Sequence, residues 1–200
     1  MGWTALGTGI LAALLSTFPR AQEVKPVAVD DREMYAVYSS LLPNEWIVRV
    51  AKAKNLVLQE ETATNWSCMP SGKPMETDWK SVLDNFRSAN VGLHLIRAGQ
   101  DLGLPYEVVP ASTIAASMDR PIPNSVSDGW QGFRTRFPDS GGYLQFSVVG
   151  FDAARQRAMV YVAHHCGSLC GGGVHHLLER DGDKWREAKV PGLIQCVWGS

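Results

Sequence analysis

The feature that most constrains the fold is a short stretch near the C-terminus, Val160–Leu178, in which apolar residues flank a Gly-rich connection. Two apolar runs separated in this way predict a β-hairpin. The stretch holds four of the five histidines and two of the four cysteines of the chain. They are His164, His165, Cys166, Cys170, His175 and His176. The two strands of this hairpin therefore carry the densest potential chemistry of the sequence.

Length and charge predict a single domain that does not bind nucleic acid. The 200 residues are 45% hydrophobic and 20% charged, which is enough apolar sequence for one core. The 19 basic and 20 acidic residues are interspersed and give a formal net charge of −1. Domains that bind nucleic acid carry clustered basic residues, so this charge pattern argues against nucleic acid as a partner.

The first residues predict export. Trp3–Phe18 is an uncharged apolar run that is shorter than the ~20 residues of a membrane-spanning helix. We therefore expect a signal peptide over residues 1–21, with cleavage near Ala21, and a single domain over residues 22–200. An uncleaved N-terminal anchor is the alternative. No second apolar run of comparable length follows, so the expected protein is secreted or periplasmic, with no stable membrane insertion after cleavage.

Four cysteines in an exported protein favour disulfides over thiolate chemistry. Three pairings are possible. Cys166 and Cys170 are close in sequence, so a small ring at the hairpin tip is the simplest bridge. This pairing leaves Cys68 and Cys196 to join an earlier loop to the last strand.

Periodicity along the chain predicts helices first and strands last. Asp30 followed by Glu33 resembles a capping box, and the apolar spacing from Met34 to Leu42 predicts an amphipathic helix that ends at Pro43. Thr77 is expected to cap a second helix, and a cap at Ser127 or Asp128 is expected to start another helical turn. The expected strands are Asn55–Glu60, Leu93–Ile96, Tyr106–Val109, Tyr143–Phe151, Ala158–His165, Val174–Glu179, Trp185–Val190 and Leu193–Trp198. The predicted fold class is α+β, with N-terminal helices packed on a mainly C-terminal antiparallel β-sheet, a meander.

The last third of the chain resembles a group of uncharacterised exported bacterial proteins. The resemblance rests on a shared order of turn, strand and Cys-Gly-x-Leu-Cys-Gly motifs. In this sequence they are Phe137-Pro138, Val149-Gly150-Phe151, Val160-Tyr161-Val162, Cys166–Gly171, Leu177-Leu178-Glu179 and Asp183-Lys184-Trp185. The resemblance implies an exported α+β fold and no particular activity. The four hairpin histidines depart from the pattern of the group, so metal binding is not implied by it.

Paired histidines on adjacent strands suggest a transition-metal site as one alternative. Successive residues of a strand point to opposite faces, so each face of the hairpin would carry one histidine from each strand. Directly opposite side chains lie ~5 Å apart at Cβ, which would let two imidazoles share one zinc or copper ion. A tetrahedral zinc site would also need Cys166, Cys170 or a carboxylate such as Glu179 as a ligand, and cysteines in a disulfide could not serve. The other interpretation packs one histidine pair inside the protein and leaves the other pair in solvent.

Two further patterns have structural interpretations. Gly171–Gly173 could form an anion-binding nest, but a tight reversal also needs glycines with positive φ, and we favour the second explanation. The seven tryptophans are spread along the sequence, which predicts separate core and loop anchors rather than one stacking platform.

No complete catalytic signature is present, such as Gly-x-Ser-x-Gly, a phosphate loop or His-Glu-x-x-His. The sequence therefore predicts an exported, non-enzymatic binding or interaction module that needs no cofactor. A transition-metal-binding protein that uses the His-rich hairpin is the first alternative. A hydrolase with an unrecognised site is the second.

Overall fold

A computed structural model of the chain describes residues 27–118 and 129–200. The expected signal peptide and the expected cap at Ser127 or Asp128 lie outside the described residues. The helices are α1 (Arg32–Leu41), α2 (Trp46–Arg49), α3 (Lys73–Glu76), α4 (Lys80–Ala89), α5 (Ala111–Ser117) and α6 (Gln131–Arg136). The strands are β1 (Val27–Ala28), β2 (Leu56–Gln59), β3 (His94–Leu95), β4 (Tyr106–Val109), β5 (Tyr143–Phe146), β6 (Gly150–Phe151), β7 (Arg157–Gly167), β8 (Cys170–Asp181), β9 (Lys184–Glu187) and β10 (Val197–Gly199).

Helix α1 begins one residue later than the sequence suggested. Asp31, rather than Asp30, is the N-cap, and its carboxylate accepts a hydrogen bond of 2.9 Å from the backbone N–H of Glu33. This bond satisfies one of the backbone donors left free in the first turn of a helix. The helix buries Tyr38 and Leu41 against the sheet and passes into a short 3-10 turn at Leu42–Asn44, where Pro43 prevents its continuation.

The main sheet has eight strands, and its central path runs in the order β10-β8-β7-β5-β2-β4. Strand β6 also pairs with β7, and β9 also pairs with β8. Pairing is antiparallel from β5 through to β10, as expected for the C-terminal part. Strands β1 and β3 form a separate two-stranded parallel sheet.

The α+β class is confirmed, but the predicted antiparallel meander is wrong in one respect, because the sheet is mixed. Strand β2 pairs in parallel with both β4 and β5. Its residues Leu56, Val57 and Leu58 are each 1% exposed. Such a continuous apolar run is typical of a parallel strand that is covered on both faces. The helices are also not confined to the N-terminal part, since α5 and α6 follow β4.

Both faces of the sheet are covered by helices, so strand β7 is buried on both sides. Val160 and Val162 belong to the core beneath α1, whereas Met159 and Tyr161 belong to the core beneath α4. A third cluster forms around Phe133 of α6. We call the two sides of the sheet the α1 face and the α4 face.

Candidate functional site

The histidines of the β7–β8 hairpin are divided between the two faces of the sheet. His165 and His175 lie on the α4 face, where both contact aromatic rings of that side. His164 and His176 lie on the α1 face, close to α2. The expected alternation therefore holds, with one histidine from each strand on each face.

The prediction that these histidines are direct cross-strand neighbours is wrong. In the strand register His164 is opposite Gly172 and His165 is opposite Gly171. His175 is opposite Tyr161, four positions along β7 from His165. Within residues 27–118 and 129–200, no group of three or more His, Cys, Asp or Glu side chains is arranged to hold a metal ion.

On the α1 face, His176 lies between two carboxylates. Its Nδ1 is 2.5 Å from Oε1 of Glu187, and its Nε2 is 3.5 Å from Oε1 of Glu45. Glu45 is only 8% exposed, and this burial raises the pKa of its carboxyl, although the neighbouring His176 opposes the shift. The hydrogen bond from His176 lowers the pKa of Glu187. His176 is therefore held between a buried and an exposed carboxylate, next to His164, whose ring stacks on Trp46.

His175 is the most deeply buried histidine of the hairpin. It is 0% exposed, and its ring is surrounded by the rings of Trp66, Phe86 and Tyr161 at centroid distances of 4.9–5.6 Å. Among the described residues, neither ring nitrogen has a hydrogen-bond partner. Burial, and secondarily the charge of His176, lowers the pKa of His175 to about 4. The side chain is therefore neutral at pH 7 and packs as an aromatic core residue.

Next to His175, the α4 face opens into a cleft of about 460 Å³. We call it the aromatic cleft. Small-molecule sites of proteins are usually apolar concavities of ~300–1,000 Å³ with a few convergent polar groups. Side chains from four separate segments converge on this one. Its lining residues are Asn65, Trp66, Ser67, Gln145, Tyr161, Ala163, His165 and Trp198.

Glycine in β8 allows Trp198 to lie against the sheet. Trp198 of β10 is opposite Gly173, and its Nε1 donates a hydrogen bond to Oη of Tyr161 across that glycine. A Cβ atom at Gly173 would lie 2.2 Å from Oη of Tyr161 and 2.3 Å from Nε1 of Trp198. Any side chain there would push the indole away from the sheet. The glycines of this run belong to a strand, so our interpretation of them as turn residues with positive φ is wrong.

The four cysteines form two pairs at disulfide distance. Cys166 and Cys170 close the tip of the hairpin with a Cα–Cα distance of 5.1 Å. Cys68 and Cys196 are joined with a Cα–Cα distance of 5.8 Å. These are the two pairs suggested by the sequence.

The Cys68–Cys196 pair joins the two segments that supply Trp66 and Trp198 to the aromatic cleft, and we call these segments its two walls. Cys68 directly follows the segment 65–67 that supplies one wall, and Cys196 is two residues before Trp198 in the other. The two segments are far apart in sequence, since the cysteines are separated by 128 positions. Because the crosslink lies beside the cleft, it limits how far the walls can separate.

The aromatic cleft carries no formal charge at pH 7. Its lining contains no Asp, Glu, Lys or Arg. Burial, and secondarily the charge of His164, lowers the pKa of His165, whose ring stacks on Tyr143 at a centroid distance of 4.6 Å. Burial also raises the pKa of Tyr161. The cleft therefore offers aromatic rings and neutral hydrogen-bonding groups.

Sequence reasoning singled out His165 but missed the rest of the aromatic cleft. Trp66 and Trp198 were expected to be separate anchors, yet both line the same cavity. The predicted Cys68–Cys196 pair contained a signal for this arrangement. Trp66 is two residues before Cys68 and Trp198 is two residues after Cys196, so a bond between these cysteines brings the two tryptophans near each other.

No protein-family model matches this chain, and no curated protein or solved structure is significantly similar to it. In the part of the chain that the structure describes, none of the helices has the length and apolar character required to cross a bilayer.

Proposed function

We propose that this chain is an exported, non-enzymatic binding module and that the aromatic cleft is its binding site. The single observation that carries the proposal is the convergence of rings, amides and hydroxyls from four segments on one concave surface. Tyr and Trp side chains are favoured at binding surfaces because they combine a large apolar area with one polar group. Amide and hydroxyl groups at the edge would fix the orientation of a ligand.

Preorganisation of the cleft supports this proposal. One wall is tied to the other by the Cys68–Cys196 pair, and Trp198 is fixed by its hydrogen bond to Tyr161. A rigid site loses less conformational entropy when it binds, so more of the contact energy appears as affinity. Two pairs of cysteines at disulfide distance also fit an oxidising, extracytoplasmic compartment.

A screen of small neutral fragments by ligand-observed NMR tests the proposal. Trp198→Ala should abolish the signals of fragments that bind the wild type, and Gly173→Ala should weaken them by displacing the indole. Trp46→Ala is the matched control, because Trp46 is 37% exposed and stacks on a β7 histidine on the opposite face. Gly92→Ala is the glycine control, since a Cβ there meets no atom within 4 Å. Binding that survives both cleft variants would contradict the proposal.

Metal binding remains the alternative proposal, and it predicts a different result. A protein purified without a chelator or a His-tag would retain zinc or copper in its native mass, and replacement of His164 and His176 by Gln would remove the ion. Under the binding-module proposal, the native mass equals that of the oxidised polypeptide.

A further inference from the structure

We infer that the ligand of the aromatic cleft is a neutral saccharide, an inference that rests on the proposed binding function and specifies its ligand class. A sugar ring has an apolar face of C–H groups and a rim of hydroxyls. Recognition of such a ring requires an aromatic surface together with groups that can both donate and accept hydrogen bonds at its edge. The aromatic cleft supplies both.

The aromatic surface is provided by Trp198 and Trp66, which reach the cleft from two separate segments. Trp198 is partly exposed, and its ring lies 5.8 Å from that of His165. Trp66 is held at its own position by ring contacts with Phe86 and Tyr161 at 5.0 and 5.9 Å. Both indoles are thus held by contacts with other rings, so less order has to be imposed on them when a ligand arrives. The small side chain of Ala163 is also part of the lining.

The polar groups suit hydroxyls better than ions. Within the described residues, no hydrogen bond engages the side-chain amide of Asn65, which is exposed at the edge of the cleft. Gln145 donates only a long bond of 3.4 Å from Nε2 to the carbonyl of Glu61, which leaves its Oε1 as an acceptor. An amide offers two donors and one acceptor atom, and a hydroxyl can satisfy either kind of group.

Charge distinguishes a neutral sugar from the other ligands that aromatic clefts bind. A quaternary ammonium ion is also attracted to the faces of Trp and Tyr. No carboxylate lines the cleft to complement a cation, and no Lys or Arg is present to complement an acidic sugar. His165 is neutral at pH 7 because burial lowers its pKa. The complementary ligand is therefore uncharged and rich in hydroxyl groups.

Saturation-transfer NMR with four probe classes tests the inference on the full mature protein. The probes are neutral oligosaccharides of glucose and of N-acetylglucosamine, an oligogalacturonate, tetramethylammonium, and benzamide as a neutral aromatic compound without hydroxyls. We expect a neutral oligosaccharide to bind at millimolar concentration or below. Trp198→Ala should weaken binding by about tenfold, the effect of one lost ring contact, and Asn65→Ala by about threefold to tenfold.

Two control variants separate local from general effects. Trp46→Ala removes a tryptophan from the α1 face, and Gln156→Ala removes an exposed turn amide that donates a hydrogen bond to the nearby carbonyl of Ala154. Both should leave saccharide affinity unchanged. Asn65 is exposed, so Asn65→Ala tests the cleft even if Trp198→Ala lowers stability.

The outcomes distinguish the two levels of the proposal. If tetramethylammonium, oligogalacturonate or benzamide binds in a Trp198-dependent manner while neutral sugars do not, the saccharide inference is wrong and the binding-module proposal stands. If neutral sugars bind, but Trp46→Ala weakens their binding and the cleft variants do not, then the saccharide inference and the proposal that the cleft is the binding site are both wrong. If none of the four classes binds the wild-type protein, the saccharide inference is likewise overturned, and the fragment screen alone decides the binding function.

Discussion

Protonation of His175 is expected to weaken the fold as the pH falls below neutral. The imidazole is 0% exposed, it is enclosed by aromatic rings, and no described residue accepts or donates a hydrogen bond to it. A charged imidazolium at this position would lack both water and a counter-ion. Burial therefore lowers its pKa from the ordinary 6.5 to about 4.

The size of the effect follows from linkage between protonation and folding. The pKa is lower in the folded state, so the unfolded chain takes up the proton first as the pH falls. Stability is full above pH 6.5, declines as the pH falls below that value, and reaches its limit near pH 4. The difference corresponds to a total loss of about 3 kcal/mol, of which about 2 kcal/mol is lost by pH ~5.

Urea denaturation of the wild type and of His175→Phe at pH ~7.5 and pH ~5 measures this loss. Burial also lowers the pKa values of His164 and His165, so the wild type will lose stability through them as well. At each pH the free energy of unfolding of the wild type is subtracted from that of His175→Phe. The change in this difference between the two pH values is the contribution of His175. His175→Phe should be relatively more stable at pH ~5 than at pH ~7.5, by about 2 kcal/mol.

Phe86→Leu is the control for packing at the same place. Phe86 touches His175 but does not titrate, so its replacement should cost about 1–2 kcal/mol and leave the pH dependence of the wild type unchanged. A difference between wild type and His175→Phe that is the same at both pH values would refute the reasoning. It would mean that the imidazole is solvated or paired in the folded protein.

The remaining predictions concern the crosslinks and the first helix. By the loop-entropy relation, replacing the Cys68–Cys196 pair with serines should lower the free energy of unfolding by about 5 kcal/mol, and replacing the Cys166–Cys170 pair by only about 2 kcal/mol, since the sequence separations are 128 and 4. Equal losses in non-reducing urea denaturation would contradict this ranking. Asp31→Ala removes the N-cap bond to Glu33 together with an ion pair to Arg155 and should cost about 1–2 kcal/mol, whereas Asp30→Ala removes only an exposed ion pair and should cost less than about 1 kcal/mol. Thermal unfolding followed by circular dichroism compares the two variants, and a larger loss in Asp30→Ala would show that the cap lies at that residue.

Local patterns predicted several elements closely, but the cap expected at Thr77 is wrong, because α4 is preceded by Trp79, and of the strand expected over Leu193–Trp198 only the end lies in β10. The strand Tyr106–Val109 was predicted with its observed bounds, and Leu56–Gln59 was within one residue at each end. The hairpin of β7 and β8, and the division of its histidines between two faces, follow from the two-residue period of a strand. These features depend on residues that are close together in the sequence, so the local sequence pattern is enough to predict them.

The arrangement of the strands and the aromatic cleft depend on distant residues and could not be predicted in the same way. Strand β2 has the apolar run of a strand buried on both faces, but nothing in that run specifies parallel partners. The exact opposition of His165 to Gly171 is set by the two-residue tip of the hairpin and the bulge beside it. Trp198 lies against the sheet because Gly173, on the neighbouring strand, has no side chain. The periodicity of the sequence does not predict this contact.

The Cys68–Cys196 pair also determines when the aromatic cleft can come into existence during biosynthesis. One wall is made early in translation, but it has no partner until residue 198 has been added. After that, the thiols must still meet an oxidant before the walls are joined. Cys166 and Cys170 precede Cys196 in the sequence. If an export pathway oxidises cysteines in the order in which they emerge, Cys68 will meet these two thiols before it meets Cys196. Correct maturation then requires either rapid closure of the hairpin ring or an isomerase that releases Cys68 from a wrong partner.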